Sequence, residues 1–412
     1  MKPLQVTVVG AGMIVHDQLL PSLYQLRRLG WIGDITVCGR TSKGVRQLKE
    51  SAILRQAFPD QDFRAVPDPR ELADQPQPAR YREVLEAMPP RNLVVVAVPD
   101  PLHREVVEWA LTQNQHVICV KPFVLRVEDS LELEREARSR GLFIGIDYHK
   151  RFDTRNLMAR RRYRDGLFGE FRLGQAWLFE RWAYRRSNFQ TWFTKDATDA
   201  FTYVGCHYVD LVAFITGLRP VAVSVYALAD RFPNGVEGYL WTDARVIWEN
   251  GACLNVQNGF AVPDVAPGAN AQGLVLYCST GQRAGRLEHQ DQFRGVAHAY
   301  VEPVPEYGEP LYRQPNPDFF EYLPYEGPGL QPSGYGYRSI EALVQAVRLV
   351  ESVSEGDRLQ QLQKIDRDGL LATPANSRYN ELVTEAARHS IKRGGELVWI
   401  EYEPEPRVLA RS

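Results

Sequence analysis

The start of the chain constrains the fold more than any other segment. Residues 4–9 form a run rich in β-branched side chains, which leads directly into Gly10-Ala11-Gly12 and then into a helical pattern over residues 16–29. A strand that turns through two glycines into a helix is the opening of a βαβ unit. Pro21 is expected to kink this first helix.

The same alternation of strand and helix continues through the first 150 residues. Further strands are predicted over 35–38, 93–98, 117–120 and 143–147, with helices over 43–56, 101–112 and 127–138. The segment 93–98 is almost purely aliphatic, as expected for a strand covered on both sheet faces. This pattern predicts an α/β fold whose first part is a parallel, doubly wound sheet.

Beyond Asp147 the pattern changes to strands with few helices between them. Strands are predicted near 171–180, 221–228, 244–249, 252–258, 273–278, 284–288 and 396–402, with helices over 199–216, 340–353 and 377–392. These elements predict a second domain of the α+β class with an open, largely antiparallel sheet. We therefore divide the chain into a dinucleotide-binding domain, 1–148, and a substrate-binding and oligomerisation domain, 149–412.

Residues 303–337 contain eight prolines and six tyrosines with little periodicity. A long surface loop and an ordered arm that shapes the active site or a subunit contact are both compatible with this composition.

Bulk composition excludes several classes of protein. A length of 412 residues suits two or three domains, and a formal net charge of −2 gives no electrostatic reason to expect nucleic acid or an anionic membrane as a partner. The five cysteines are scattered, without metal-ligand or disulfide spacing, so we expect no metal and buried thiols in a reducing compartment. The predicted location is the cytoplasm.

The glycine turn itself points to a dinucleotide. Gly10 permits the tight turn, and Gly12 lets backbone amides at the start of the helix, around Met13 and Ile14, approach a pyrophosphate. The third glycine of the usual fingerprint is replaced by Val15. A tight turn that binds no ligand is the alternative.

The end of the second strand indicates which dinucleotide. An acidic residue that would bind the ribose 2′-hydroxyl of NAD is absent, and Gly39 is followed by Arg40, Thr41 and Ser42. A guanidinium and hydroxyl groups suit a 2′-phosphate, so NADP is the preferred cofactor. If Arg40 only stacks over the adenine, the cofactor is NAD.

Two further segments carry candidate catalytic groups. Lys121 directly follows the strand predicted over 117–120, at the edge where ligands bind in open α/β sheets, and Pro122 holds its backbone extended. On the predicted helix 199–216, Tyr203, His207 and Asp210 share one side. The alternatives are a surface lysine and a core histidine satisfied by Asp210.

Taken together, these segments resemble the Gfo/Idh/MocA family of sugar and cyclitol oxidoreductases over residues 1–260. The resemblance is carried by Gly10-Ala11-Gly12, Val98-Pro99-Asp100-Pro101-Leu102-His103, Lys121-Pro122, Tyr148-His149-Lys150-Arg151-Phe152 and Gly205-Cys206-His207-Tyr208-Val209-Asp210-Leu211. It implies a Rossmann domain followed by an open β-sheet domain, catalytic roles for Lys121 and His207, and cofactor contacts at Val98, Pro99, His103 and Lys121. Two positions depart from the family pattern: Val120 replaces the usual glutamate, and Tyr203 replaces an aspartate.

The resemblance implies the oxidation of a secondary alcohol of a sugar or cyclitol. His207 is the expected general base, Lys121 the group that stabilises the alkoxide, and Tyr203 an orienting or proton-relaying group. Candidate substrate contacts are Tyr148, Arg151, Trp182 and Asp210. A homodimer or homotetramer through the C-terminal sheet is expected. Two rival functions remain: a glycosidase that acts by transient oxidation with bound NAD, and a non-catalytic cofactor-bound sensor.

Overall fold

The computed structural model describes residues 2–70, 75–264, 270–290, 295–299, 311–314 and 319–409, with backbone only for 295–299 and 311–314. Its contacts divide the chain into two compact units. Unit 1 comprises Met1–Val124, Glu128–Phe152 and Phe319–Asn376, and unit 2 comprises Leu125–Val127, Asp153–Asp318 and Ser377–Ser412.

Unit 1 is built on a parallel sheet. Its strands are β1 (Leu4–Val9), β2 (Ile32–Cys38), β3 (Arg64–Val66), β4 (Leu93–Val96), β5 (His116–Val120) and β6 (Ile144–Asp147). The helices between them are α1 (Leu20–Arg28), α2 (Ser42–Glu50), α3 (Ala52–Ala57), α4 (Arg80–Glu86), α5 (His103–Thr112) and α6 (Val127–Ser139). All described pairings in this sheet are parallel, in the order β3-β2-β1-β4-β5-β6. The predicted doubly wound sheet is confirmed, and its order reverses between β1 and β4.

Two predicted helices of unit 1 differ from those in the structure. The helix expected over 16–29 is a π-helical segment, Val15–Leu19, followed by α1, and Pro21 occupies the first turn of α1, where a missing amide hydrogen costs little. The helix expected over 43–56 is divided into α2 and α3. At the break, Ser51 leaves the helical conformation (ψ 115°) and its hydroxyl accepts a hydrogen bond from the Leu54 amide.

The middle of the chain supplies most of unit 2. Its strands are β7 (Glu170–Arg181), β8 (Pro220–Arg231), β9 (Glu237–Trp248), β10 (Cys253–Val262), β11 (Ala271–Ser279), β12 (Ala284–Gln290), β13 (Gly295–Ala299) and β14 (Leu311–Gln314), and its helices are α7 (Thr154–Arg164) and α8 (Cys206–Thr216). The chain continues through β15 (Glu321–Pro324), β16 (Leu330–Ser333), α9 (Tyr335–Ser352), α10 (Arg358–Asp368), α11 (Pro374–Ser377), α12 (Tyr379–Lys392), β17 (Val398–Glu401) and β18 (Arg407–Leu409).

The sheet of unit 2 has the order β14-β13-β12-β11-β7-β10-β9-β8-β17-β18 in the described residues. Every described pairing is antiparallel except that of β7 with β10. The helices α8 and α12 pack on one face, where Val212, Leu254 and Ala386 belong to one buried core. The predicted open, largely antiparallel sheet is confirmed.

The Pro/Tyr-rich segment predicted over 303–337 divides into several parts. Residues 303–310 and 315–318 lie outside the described chain, residues 311–314 form β14, and β15 and β16 form a hairpin. Arg28 holds this hairpin on unit 1, because its guanidinium lies 4.6 Å from the Phe58 ring and 4.7 Å from the Tyr325 ring. It also donates hydrogen bonds to the carbonyls of Pro328 and Leu330.

The structure also differs from the predicted domain division. Residues Phe319–Asn376, which the division assigns to the C-terminal domain, belong to unit 1. The reason is apolar packing: Leu343 and Val347 of α9 are buried in the same core as Val8 and Val95 of the parallel sheet.

A polar clasp ties α9 to the parallel sheet. Glu351 near the end of α9 accepts a hydrogen bond from His116 Nε2 (2.9 Å) and from Arg91 Nη2 (2.5 Å), while His116 Nδ1 accepts one from the Phe143 amide (3.0 Å). Burial acts to raise the pKa of Glu351, but the hydrogen bonds from His116 and Arg91 outweigh it and lower that pKa to about 2.

Candidate functional site

The glycine turn lies at the carboxyl edge of the parallel sheet. Gly10 has φ +128°, and its amide donates to the Cys38 carbonyl at 2.8 Å. A Cβ atom at Gly10 would lie 2.0 Å from the Ala97 carbonyl oxygen, so only glycine fits between the ends of β1 and β4. A Cβ at Gly12 would meet nothing within 4 Å, and Met13 beside it is exposed.

This turn has the features that a pyrophosphate site needs. The space around Gly12 is open, and its carbonyl accepts the Val15 and His16 amides that begin the helical segment. The amides of Met13 and Ile14 come before these two, at the start of the helical segment. Amides in that position have no acceptor within the helix, so they are available to an anion. The residues present therefore fit a bound dinucleotide, and half-buried Ile14 anchors the turn to the core of unit 1.

The turn after β2 has no room for an acidic side chain at its first position. A Cβ at Gly39 would lie 2.9 Å from Val45 Cγ1 and 3.0 Å from the Thr41 carbonyl oxygen. Arg40 is exposed, Thr41 precedes the first residue of α2, and Ser42 is buried at the start of that helix. The groups that can face a ribose at this position are therefore cationic and polar.

His103 braces the ends of β4 and β5 together. It is fully buried, and its ring nitrogens lie 2.8 Å from the Val98 carbonyl oxygen and 2.7 Å from the Pro122 carbonyl oxygen. Both nitrogens are thus engaged with the backbone, and His103 positions the Val98-Pro99 and Lys121-Pro122 segments. His103 therefore braces these two backbone segments. The cofactor contact predicted for His103 stays a prediction.

Lys121 follows the last residue of β5 at the same edge of the sheet and is half-buried. Burial lowers the pKa of His149, and the positive charges of Lys150 and Lys121 lower it further, so Lys121 lies within electrostatic range of that imidazole. His149 is enclosed by the rings of Phe319 (4.7 Å between centroids) and Tyr335 (5.6 Å).

The residues after β6 are more buried than an open binding wall would be. Tyr148 is 1% exposed and Arg151 is 2% exposed, with the guanidinium 5.9 Å from the Tyr148 ring. Asp147 accepts hydrogen bonds from Gln18 Nε2 (2.9 Å) and the Ser339 hydroxyl (2.5 Å). Asp147 and His149 were not predicted as site residues.

In unit 2, a capped helical segment presents the second group of candidates. Asp199 accepts hydrogen bonds from the Thr202 amide (2.8 Å) and hydroxyl (2.7 Å), as an N-cap does. The helix predicted over 199–216 is observed as a π-helical segment, Phe201–Gly205, that runs directly into α8. Gly217 ends α8 with φ +79°, the left-handed conformation in which glycine commonly terminates a helix.

Asp210 is anchored by α12. His207 and Asp210 of α8 are 6% and 1% exposed. The Tyr379 hydroxyl and the Asn380 amide nitrogen each donate to Asp210 Oδ1 at 3.0 Å. The carboxylate predicted to contact substrate is therefore engaged within unit 2 by two side chains that sequence reasoning missed.

Tyr203 belongs to an aromatic cluster. Its ring centroid lies 5.0 Å from that of Phe189, 5.9 Å from those of Trp192 and Phe193, and 6.4 Å from that of Phe260. Tyr203 remains half-buried, so the cluster restrains the ring without enclosing it. The packing fixes the direction of the phenol more firmly than a solvent-exposed position would.

Trp182 is the most accessible of the substrate candidates, with 41% of its surface exposed. The Arg185 guanidinium lies 3.9 Å from its ring, and Asp230 accepts hydrogen bonds from Arg185 (2.6 Å) and from Trp241 Nε1 (3.1 Å). The indole therefore packs against an ion-paired cation while 41% of its surface stays accessible.

The structure thus sorts the predicted site residues by unit. In unit 1 the cofactor candidates and Lys121 follow the carboxyl ends of β1, β2, β4 and β5, whereas Tyr203, His207 and Asp210 lie in unit 2. In the part of the chain that the structure describes, no cluster of three or more His, Cys, Asp or Glu residues is arranged to hold a metal, and no helix is long and apolar enough to cross a membrane. Four cysteines are buried and Cys253 is half-buried.

Two family models match the chain. Residues 4–148 match the model described as the oxidoreductase family with an NAD-binding Rossmann fold, and residues 156–283 match the GFO/IDH/MocA C-terminal domain.

Curated relatives match only parts of the chain. An uncharacterized oxidoreductase of Schizosaccharomyces pombe is 37% identical over 79 residues, which is 19% of this chain and 22% of that protein. D-glucoside 3-dehydrogenase of Escherichia coli is 26% identical over 55% of this chain and 57% of its own length. The scyllo-inositol 2-dehydrogenase (NADP(+)) IolW of Bacillus subtilis is 26% identical over 35% of this chain and 39% of its own length.

Solved structures share the fold along nearly the whole chain. An inositol dehydrogenase homolog from Azotobacter vinelandii, complexed with NADH and myo-inositol, has a TM-score of 0.64 at 17% identity and covers 97% of this chain and 98% of its own. An oxidoreductase domain protein from Kribbella flavida has a TM-score of 0.67 at 17% identity, with 97% and 99% coverage.

Proposed function

Because the chain belongs to the GFO/IDH/MocA oxidoreductase family, we propose that it is a nicotinamide-dependent dehydrogenase of a sugar, sugar derivative or cyclitol. The observation that carries the proposal is the position of Lys121, which follows β5 at the same sheet edge as the glycine turn. The names of two relatives, a D-glucoside 3-dehydrogenase and a scyllo-inositol 2-dehydrogenase, support the substrate class.

We further propose NADP as the preferred cofactor. Gly10, Ala11, Gly12, Met13 and Ile14 would hold its pyrophosphate, as the open space around Gly12 supports. Arg40, Thr41 and Ser42 would hold the 2′-phosphate, since Gly39 leaves no space for the acidic side chain that NAD sites use. The relatives do not decide this point, because one is named for NADP and one structure holds NADH.

Each catalytic group has a separate role. Bound nicotinamide supplies the hydride acceptor. His207 takes the hydroxyl proton of the substrate, which suits an imidazole near neutral pH. Lys121 donates a hydrogen bond to the same oxygen and stabilises its developing charge.

Tyr203 occupies the family's aspartate position and would orient the substrate oxygen or relay its proton. Its restraint by Phe189 and Trp192 supports the orienting role. Trp182, with 41% of its surface exposed, offers an aromatic surface for the C–H side of a sugar ring. Tyr148, Arg151 and Asp210 complete the proposed substrate environment, and their burial suits positioning of neighbouring groups more than direct stacking.

We also propose that the uncovered face of the unit 2 sheet forms the contact of a dimer or a tetramer in the cytoplasm. Leu173 and Tyr277 lie opposite each other on β7 and β11 and are 60% and 49% exposed, and Tyr226 on β8 is 57% exposed. Exposed apolar side chains of this size on a sheet favour burial by a second subunit. Sedimentation that gives a monomeric mass would contradict this assignment.

The test follows the reduction of NADP and of NAD separately across a panel of sugars and cyclitols. The wild-type protein should reduce a nicotinamide cofactor with at least one of them. The Lys121→Ala variant should lose about 100-fold or more in kcat, because it removes one stabilising donor from the reacting oxygen, while its affinity for NADP stays within a few-fold. Lys49→Ala is the control, since Lys49 is a half-buried lysine of the same unit that is ion-paired with Asp62.

The same assay separates the rival functions. A glycosidase acting by transient oxidation would release free sugar and keep a cofactor that does not exchange. A sensor would bind cofactor without turnover on any substrate. Wild-type rates in the Lys121→Ala variant would overturn the assignment of that lysine.

A further inference from the structure

A buried acid on the first turn of α12 has no role in the mechanism above. Glu381 is 1% exposed, and among the described residues no side chain donates a hydrogen bond to either of its carboxyl oxygens; the backbone amide of Glu381 itself is the one donor that acts on them. An ionised carboxylate in such a place would forfeit its hydration without compensation. The surroundings therefore favour the neutral carboxylic acid.

The two residues that directly precede Glu381 donate to a different acid. Tyr379 and Asn380, which directly precede Glu381, both donate hydrogen bonds to Asp210 on α8. Two side-chain donors serve Asp210, whereas only its own backbone amide serves Glu381. A buried carboxyl group without side-chain donors is readily protonated.

Burial raises the pKa of Glu381 to about 8. The hydrogen bond from its own backbone amide and the positive charge of Arg378 act to lower this pKa, whereas the Asp210 charge acts to raise it. The strands β8 and β17, which pack against α12, contribute Val223 and Val398 to the core there. Glu381 is therefore mostly the neutral carboxylic acid at pH 7, and it ionises at alkaline pH.

We propose that Glu381 is a positioning residue of the proposed active site: it stays protonated in the folded protein, and its ionisation sets the alkaline limit of activity. The inference rests on the proposed function, because it acts on His207 through Asp210. Those two residues are three apart on α8 and so share one side of the helix.

The physical step is a simple proton loss. When Glu381 releases its proton to solvent, a second negative charge appears beside Asp210. Repulsion between the two carboxylates then opposes the hydrogen bonds that Tyr379 and Asn380 make to Asp210, and it changes the electric field at His207. Activity falls as this second charge forms.

The first test needs no substrate. Glu381→Gln keeps the shape and lacks the ionisation, and Glu385→Gln on the same helix is the matched control. Because the folded pKa is raised, the wild type holds a proton that the unfolded chain has released, so its stability falls as pH rises from 4.5 to about 8. Urea midpoints of E381Q and wild type should coincide near pH 5 and diverge by pH 9, with E381Q higher. If the urea midpoints of the two proteins change with pH in the same way, the proposal is overturned.

The second test is the pH dependence of kcat/KM. If one ionisation with a pKa of about 8 controls activity, the wild type loses about tenfold between pH 7 and pH 9. In E381Q, and in Glu381→Leu, which also lacks an ionisable group, kcat/KM should be nearly the same at pH 7 and at pH 9. A tenfold fall of kcat/KM between these pH values in both variants would refute the positioning role.

These outcomes separate this inference from the proposed function. If no sugar or cyclitol is oxidised, the proposed function fails while the urea curves still decide whether Glu381 is buried as an acid. If the wild type is active and the urea curves are parallel, the Glu381 proposal alone fails.

Discussion

The clasp between α9 and the parallel sheet allows a stability change to be worked out from the structure. Glu351→Gln keeps one oxygen that His116 can reach, but it removes the negative charge beside Arg91. The variant leaves the cation of Arg91 without its counter-charge at a position where Glu351 is only 15% exposed. Unit 1 should therefore lose stability.

The size of the loss follows from the pKa of Glu351. Its shift from 4.5 to about 2 corresponds to about 3 kcal/mol at neutral pH. Because the folded pKa is depressed, this stability is fully present above pH 4.5 and is lost as pH falls toward 2. By pH 3 less than half of it, about 1.4 kcal/mol, remains.

The assay compares urea unfolding of wild type, E351Q and Glu355→Gln at pH 7 and at pH 3. Glu355 is exposed and follows α9 in the same unit, so its substitution controls for the loss of one carboxylate. Hydrogen exchange of peptides from α9 reports on unit 1 directly. E351Q should be weaker than E355Q by about 3 kcal/mol at pH 7, with the gap narrowed at pH 3. An equal gap at both pH values, or none at pH 7, would refute the electrostatic reasoning.

Three further predictions concern unit 1. Arg40→Ala should weaken NADPH binding about tenfold or more, because one charge-assisted hydrogen bond to the 2′-phosphate is lost, while NADH affinity changes less than twofold. Fluorescence titration with each cofactor measures both affinities. An equal loss for both cofactors would contradict the assignment of Arg40. Gly10→Ala should lower both the thermal midpoint and cofactor affinity, since its Cβ would lie 2.0 Å from the Ala97 carbonyl oxygen, and wild-type affinity would count against this reading of the turn. Arg28→Ala should speed proteolysis between β15 and β16, because the hairpin loses its Tyr325 ring contact and two hydrogen bonds to Arg28. An unchanged cleavage rate would disprove the anchoring role.

Much of the fold can be predicted from the sequence because local patterns decide it. The first strand, Leu4–Val9, agrees with the prediction residue for residue, since an aliphatic run before a glycine turn has few alternatives. The break at Ser51 could not be predicted, because apolar residues continue at helical spacing from Val45 through Leu54 and a single serine divides the helix.

Long-range packing accounts for the rest. The helix predicted over 340–353 is present within α9, but an apolar stripe does not reveal which core it will join. The location of candidate site residues at strand ends follows from the topology of parallel sheets, whereas the partners of Asp210 lie 169 and 170 positions away. The sequence places three polar residues, Tyr379, Asn380 and Glu381, near the start of the helix predicted over 377–392. Nothing else in the local sequence indicates that they lie beside Asp210.

The return of residues Phe319–Asn376 to unit 1 has a consequence for biosynthesis. The first 152 residues emerge from the ribosome long before α9, whose Leu343 and Val347 complete their core. Domains often fold in order from the N-terminus during translation. Unit 1 cannot complete its packing in this way, because α9 has not yet been synthesised when its first 152 residues emerge. Its nascent sheet must keep an apolar face exposed while most of unit 2 is translated, so the two units are expected to mature together at the end of translation.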